Sequence, residues 1–303
     1  MIDKLKSQHA AHRLCQQLNV SMSGYLTHSN GRPDSERKQQ DQRLLVYIRA
    51  AHTRGRGTYG PLKIQTELAT QGLFVGLNRI KRLRTLHGIR CTHKKKFRVT
   101  TDAKHRMPVA PNLLDRQFTP TAPNQVWVTD ITYIPTGEGW LYLAAVKDLH
   151  TCEIVGWSMD RRMTQTLVMS TLTAAYWKKK PPPGLLHHSD RGSQYCSAAY
   201  RALQASYGMQ TSMSRKGNCW EFALSRHLSE AQSSHNAPME SFFGTLKTES
   251  LHHYRFKTRA NAKRVIFEYI EVFYNRIRRH AKINNLSPSD FANQYYINYP
   301  IAA

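Results

Sequence analysis

Three acidic residues sit where their neighbours argue for chemistry. Asp130 interrupts the apolar, β-branched run Trp127-Val128-Thr129-Asp130-Ile131-Thr132-Tyr133. A carboxylate within such a strand is costly to bury and needs a cation, a metal or a solvated face. Asp190 follows His187-His188-Ser189, just past a short strand, where α/β sheets place functional groups. Taken alone, Asp190 reads equally well as an ordinary turn or cap residue. Glu240 lies in Asn236-Ala237-Pro238-Met239-Glu240, with Pro238 suited to a first helical turn and Asn236 to its cap. Lys247 falls two turns further along the same face. A carboxylate above an amine can hold metal and contact a phosphate together; the plainer role for Glu240 is to favour a helix N-terminus. Three carboxylates brought together suit Mg2+, with Mn2+ as its substitute, because hard cations take oxygen ligands and Mg2+ keeps several waters. Two such ions roughly 3.5–4 Å apart activate an attacking oxygen and stabilise a leaving one.

The elements that must position these groups can be read from 124 onward. Gln125–Ile134, Trp140–Val146 and Ile154–Met159 read as strands, with a hairpin turn at Thr136-Gly137-Glu138-Gly139. Thr164–Trp177 reads as a helix, Leu185–Ser189 as a fourth strand, and Met209–Met213 as a fifth after a helix capped by Ser197. Three antiparallel strands, then helix, strand, helix and strand, give a mixed five-stranded α/β sheet with flanking helices. That order matches an RNase H-like fold.

Upstream of the strands the chain is helical and basic. Leu44, Leu45, Ile48 and Ala51 share one helical face. Pro61 suits the start of a second helix, Asn78 the cap of a third, and Gly88 its end. Arg79, Lys81, Arg82 and Arg84 crowd that third helix, the arrangement of an all-α helix-turn-helix DNA reader, or of a basic hairpin facing solvent. Lys94, Lys95 and Lys96 extend the basic strip. The expected divisions are a helical segment over 1–40, a DNA-binding module over 41–98, a proline-containing linker over 99–122, a catalytic core over 123–252 and a basic helical tail over 253–303. In that tail Arg276, Arg278 and Arg279 read as a phosphate-contacting surface. Trp140 and Trp157 read as core and Asp148 as a turn residue. His187 and His188 read as structural rather than zinc ligands, since no cysteine pair supports them.

Composition agrees with a nucleic-acid partner. The 303 residues carry 44 Lys+Arg against 20 Asp+Glu, a net charge of +24. A field of that size concentrates polyanions. Five cysteines without a C-x-x-C pair argue against a disulfide framework or a Cys-rich zinc site, and fit a reducing cytoplasm. No apolar run reaches the length of a membrane span, so membrane association is not expected.

The segments VWVTDITYI, HHSDRGSQY, SRKGNCW and NAPMESFFGTLKTE resemble the DDE transposases of the IS3 insertion-sequence family. The resemblance extends to YGPLKIQTEL and RIKRLRTLHGI upstream and to YNRIRRHAKINNLSPSDF near the end, so it spans most of the chain. It implies a retroviral-integrase-like core with Asp130, Asp190 and Glu240 as the metal triad. It also implies cleavage and strand transfer at the ends of an insertion element, a homo-oligomer holding two double-stranded DNA ends, and a cytoplasmic, nucleoid-associated enzyme. An upstream-frame DNA-binding protein, or a fusion with it, is a further partner that the resemblance implies.

The spacing departs from the family. Between Asp190 and Glu240 lie 49 residues, and the excess over the family pattern maps onto Phe222–His235, 14 residues between Cys219-Trp220-Glu221 and Asn236-Ala237. Two readings compete: a tolerated surface loop, and a lesion that displaces the third carboxylate and leaves a DNA-binding regulator. Both flanks are intact and in frame, and lengthening a loop costs only about 1 kcal/mol, which favours tolerance. Glu221 and Glu230 are alternative third ligands without a matching block. A structure-selective nuclease of the same fold is a further alternative, and the upstream module argues against it.

Overall fold

The computed structural model describes residues 2–29, 34–92, 108–115, 117–214 and 236–299. The chain begins with three short helices, α1 (Ile2–Leu5), α2 (Ala11–Gln17) and α3 (Met22–Ser29), gathered around Ile2, Cys15 and Tyr25. Next come α4 (Glu36–Arg54), α5 (Pro61–Ala69) and α6 (Leu77–Leu86). Ser35 caps α4 by accepting from Lys38 N, and Pro61 opens α5 as its fixed φ predicts. Gly76, not Asn78, precedes α6; Asn78 lies inside the first turn, so its side chain does not take the cap. Leu44, Ile48, Ile64, Leu68, Ile80 and Leu83 close a core of their own between these three helices.

The sheet follows in the order β3-β2-β1-β4-β5. β1 (Val126–Thr136), β2 (Gly139–Asp148) and β3 (Ile154–Asp160) form an antiparallel meander. α7 (Gln165–Lys179) crosses over to β4 (Leu186–Ser189), parallel to β1. A cβ on Gly156 of β3 would stand 2.6 Å from the Ala175 side chain, so glycine is what lets α7 lie this close to the strand. α8 (Ser193–Cys196) and α9 (Ala198–Ser206) then lead to β5 (Gln210–Met213), parallel to β4. Asp148, read as a turn residue, is the buried last residue of β2, and its carboxylate braces the turn that follows, accepting from Thr151 N at 2.7 Å and from Asn124 N at 2.7 Å.

α7 and α9 cover one face of the sheet. The other face is covered by α10 (Ala237–Glu249) and by α11 (Arg259–Phe267), which runs on as a π-helical stretch over Glu268–Tyr274. α12 (Pro288–Asn298) closes the described chain. Two sequence expectations change here. The stretch after 253 is more than a basic tail, because Ala262, Ile266, Tyr269, Ile270 and Phe273 are core residues packed with β1 and β2. Within the expected linker, Leu113 N and Leu114 N donate to Ser212 Oγ at 2.9 and 3.2 Å, and Leu114 is buried against the sheet. Among the described residues no helix is long and apolar enough to cross a membrane.

Candidate active site

The parallel pairing of β1 and β4 decides where two of the carboxylates stand. Val126 lies beside Leu186, Trp127 beside His187 and Val128 beside His188. Carried two residues further in that register, Asp130, midway along β1, comes beside Asp190, the residue just past the end of β4. Asp130 Oδ1 accepts from Ile131 N at 2.7 Å, and Asp190 Oδ1 accepts from Gly192 N at 2.9 Å. Burial and the Asp190 charge push the Asp130 carboxyl well above the usual carboxylate range; Glu240 adds to the push and Lys247 opposes it. Asp130 therefore feels both other predicted acids and the predicted amine. Lys247 is itself pulled below its usual value by burial, with Asp130 acting the other way.

α10 brings Glu240 and Lys247, and the structure corrects how its start is held. Asn236 makes no side-chain cap. Its Nδ2 instead donates to Thr129 O at 2.9 Å, across to the strand residue before Asp130. Lys147 Nζ, on β2, donates to Pro238 O at 3.4 Å in the first turn of the same helix. The chain entering the 215–235 stretch is also fixed: Ser214 N donates to Ser189 O at 3.0 Å, and Arg191 Nε donates to Ser214 O at 2.7 Å. The inserted segment Phe222–His235, with Glu221 and Glu230, lies outside the described residues.

The two histidines have structural partners. His187 Nδ1 is 2.8 Å from Gln204 Nε2, and His188 Nδ1 is 2.9 Å from Ser212 Oγ. Burial and the neighbouring His188 push His187 down to about 3, so it is neutral. Tyr195 is also buried, with its hydroxyl 3.4 Å from Thr129 Oγ1 beneath Asp130.

The predicted DNA-contacting residues divide. Arg79 Nε binds Asp41 of α4 at 2.8 Å, and Arg82 binds the same carboxylate, so these two fasten α6 to α4. Arg84 is buried, with Nη2 3.1 Å from Cys91 Sγ, while Lys81 is exposed. Lys94, Lys95 and Lys96 lie outside the described residues. Arg276 is exposed. Arg278 is held by Glu249 through Nε and Nη2 at 2.8 and 2.9 Å, and Arg279 Nε meets the buried Glu67 of α5 at 2.5 Å. Spacing marked these arginines as basic but could not reveal their carboxylate partners, which lie up to 212 residues away. The expected core residue Trp140 is 48% exposed, and Trp157 is half-buried with Nε1 donating to Glu271 Oε1 at 2.7 Å.

Among the described residues no three His, Cys, Asp or Glu side chains are gathered tightly enough to enclose a metal ion as they stand. The donor set nonetheless fits a hard divalent cation. It is all oxygen, it combines like charges that raise Asp130, and cation binding would relieve that repulsion.

The chain is similar to known proteins along most of its length. An HTH-like domain model matches residues 39–97, one integrase core domain model matches residues 120–219, and a second integrase core domain model matches residues 240–296. The second core match begins at Glu240, and the inserted segment falls between the two core matches. The chain is 53% identical over 283 residues to the insertion element IS600 uncharacterized 31 kDa protein of Shigella sonnei, covering 93% of this chain and 98% of that one. It is 37% identical over 294 residues to transposase InsF for insertion sequence IS3A of Escherichia coli (strain K12), covering 97% of each. Among solved structures it is similar to the HTLV-2 integrase catalytic core domain in complex with magnesium, with a TM-score of 0.40 and 15% identity over 57% of this chain and 98% of that one.

Proposed function

Since the chain belongs to the IS3-type insertion-sequence transposases, DNA-transposing enzymes with an integrase catalytic core, we propose that Asp130, Asp190 and Glu240 are its catalytic carboxylates and hold Mg2+, or Mn2+ in its place. The observation that carries this reading is the shared register of Asp130 and Asp190 on β1 and β4, with the charges of Glu240 and Lys247 both acting on Asp130.

When bound, Mg2+ supplies the Lewis acidity that activates an attacking oxygen and stabilises a leaving one on the phosphate. The chain's own residues do the positioning. Asp130 presents its oxygens from within β1 and Asp190 from just past the end of β4, where the sheet fixes the backbone of both. Glu240 enters from the first turn of α10, and the bond from Asn236 to Thr129 fixes that turn against β1. Lys247, two turns on, orients the scissile phosphate by charge. Water as attacking group nicks the element end; a 3′-hydroxyl in the same place joins strands.

DNA contacts outside the site are assigned first to Lys81 and Arg276, which face solvent, and to Lys94, Lys95 and Lys96; Arg79 and Arg82 contribute from beside Asp41. Arg84, Arg278 and Arg279 support these surfaces from within. We place the enzyme at the bacterial nucleoid, acting as a homo-oligomer on two double-stranded ends, with an upstream-frame DNA-binding partner or fusion. We divide the chain as 1–40, 41–98, 99–122, 123–252 and 253–303, with the helices after 253 and Leu114 of the linker packed into the core of the sheet and with 222–235 as a tolerated insertion.

The test is strand cleavage of a labelled duplex carrying the element's end, with Mg2+, by this chain, by a version lacking Phe222–His235, and by Glu240→Gln. Cutting by the first two and not the third is expected. Cutting by the deleted version alone makes the insertion a lesion and the natural chain a DNA binder.

A further inference from the structure

Beside the carboxylates the β1–β2 hairpin and the chain leaving α10 enclose an open cleft of about 360 Å3. Its walls are aromatic. Tyr133 and Trp140 of the hairpin meet edge-to-face with ring centroids 5.0 Å apart. Tyr254 and Phe256, beyond α10, stack at 5.5 Å with their planes 20° apart. Leu251 and Lys247 also line it. Trp140 is 48% exposed and Tyr254 54%, so these rings do not serve a core.

Lys247 of α10 is the link between the cleft and the carboxylates. Lys247 Nζ stands 5.3 Å from the Tyr133 ring centroid, and the same ammonium acts on Asp130. A flat group joined to an anion matches this lining: the rings offer π-faces and Lys247 offers charge for an adjoining phosphate. We propose that the cleft takes one unstacked nucleobase of the DNA end, next to the phosphate being cut, while Lys247 meets that nucleotide's phosphate. The inference rests on the carboxylates being the cutting centre. It explains how a duplex reaches carboxylates set on the sheet: opening the pair beside the cut lets the strand bend inward, and stacking in the cleft offsets the lost pairing.

The experiment uses the full chain and a duplex of the element's own end, with 5-iodo-deoxyuridine placed at successive positions across the cut. Irradiation is done in EDTA, so the readout does not depend on cutting. One position next to the cut is expected to cross-link to Trp140 or Tyr254. Trp140→Ala and Tyr254→Ala should lose that cross-link and bind the duplex about tenfold more weakly, and Trp140→Phe should retain both. Cross-links that are unchanged in the alanine variants, or spread evenly along the duplex, overturn the inference. So does a Trp140→Ala chain whose oligomeric state changes while its DNA affinity does not, which makes the cleft a surface for a second copy. A wild-type chain that cross-links through the cleft but does not cut when Mg2+ is supplied sinks the catalytic reading alone. A chain that cuts without the cross-link sinks this one alone.

Discussion

Asn236 reaches across from the first turn of α10 to the carbonyl of Thr129, 2.9 Å away, and so ties the helix of Glu240 to the strand of Asp130. It is the first described residue after the insertion, which makes it the point at which the chain regains the catalytic frame. Asn236→Ala should cost about 1–2 kcal/mol of stability, the range for losing a buried hydrogen bond. It should lower Mg2+-dependent cutting by more than that stability loss explains. Urea unfolding and single-turnover cleavage on the same preparations measure the two effects. Equal cutting by variant and wild type would remove the anchoring role.

Asp130 is destabilised as an anion by burial and by Asp190. A carboxyl raised above its unfolded value favours folding less as pH rises through the acid range and beyond. Asp130→Asn should therefore melt higher than wild type in EDTA at neutral pH, while losing all cutting. Adding Mg2+ should raise the wild-type melting temperature and leave the variant's nearly unchanged. Differential scanning fluorimetry with and without Mg2+ reads both directions, and a variant that melts lower in EDTA contradicts the argument.

His187 carries the opposite sign. Its folded value of about 3 lies below the ordinary value of 6.5. The unfolded chain then takes up the proton first. The stability His187 contributes is whole above pH 6.5 and falls as pH drops toward 3, with a limiting slope of about 1.4 kcal/mol per pH unit. His187→Gln should flatten the stability profile between pH 6 and pH 4, as followed by urea midpoints across that range.

Glu67 and Arg279 join the upstream helical module to the C-terminal helices at 2.5 Å, with Glu67 2% exposed and Arg279 13%. Arg54 Nη1 also reaches Glu67, at 3.3 Å, so losing Glu67 should cost about 3–5 kcal/mol and losing Arg279 less, because Arg54 still faces the buried carboxylate. Glu67→Gln and Arg279→Gln should each destabilise, and the double variant should destabilise by less than their sum. A strictly additive double-mutant cycle would show that the two side chains are not coupled.

Lys81 and Arg84 lie three residues apart on one helix and should behave differently. Lys81→Ala should weaken binding to any duplex and reduce the slope of log affinity against log salt by about 1. Arg84→Ala should leave the slope unchanged and lower stability, because that guanidinium is buried against Cys91. Salt titrations by fluorescence anisotropy, with thermal melts alongside, separate the two.

The sheet was legible because its signals are local. β-branched runs, the hairpin turn at Gly137-Glu138 and the Ser197 cap all act within a few residues, and each appears where expected. An acid within the apolar run at Asp130 was legible for the same reason. What sequence could not supply was partnership at a distance. Arg278 and Arg279 read as a phosphate surface until Glu249 and Glu67 were seen beside them. Asn236 read as a cap because that is its local preference, and its tertiary partner on β1 won instead. Trp140 read as core because aromatics in strands usually are, yet it sits beside the turn of a hairpin, half exposed.

The clamps at Ser214 and Asn236 have an evolutionary consequence. With Arg191 and Ser189 holding one side and Thr129 the other, the proposed tolerance of the insertion implies that whole codons can be gained or lost between Ser214 and Asn236 with the three carboxylates kept in place. Mobile elements copy themselves in many lineages, and we expect length to drift here from copy to copy while the codons for β1, β4 and α10 keep their count. The same stretch is where a fluorescent or affinity module can be spliced into the polypeptide to follow transposition in living cells.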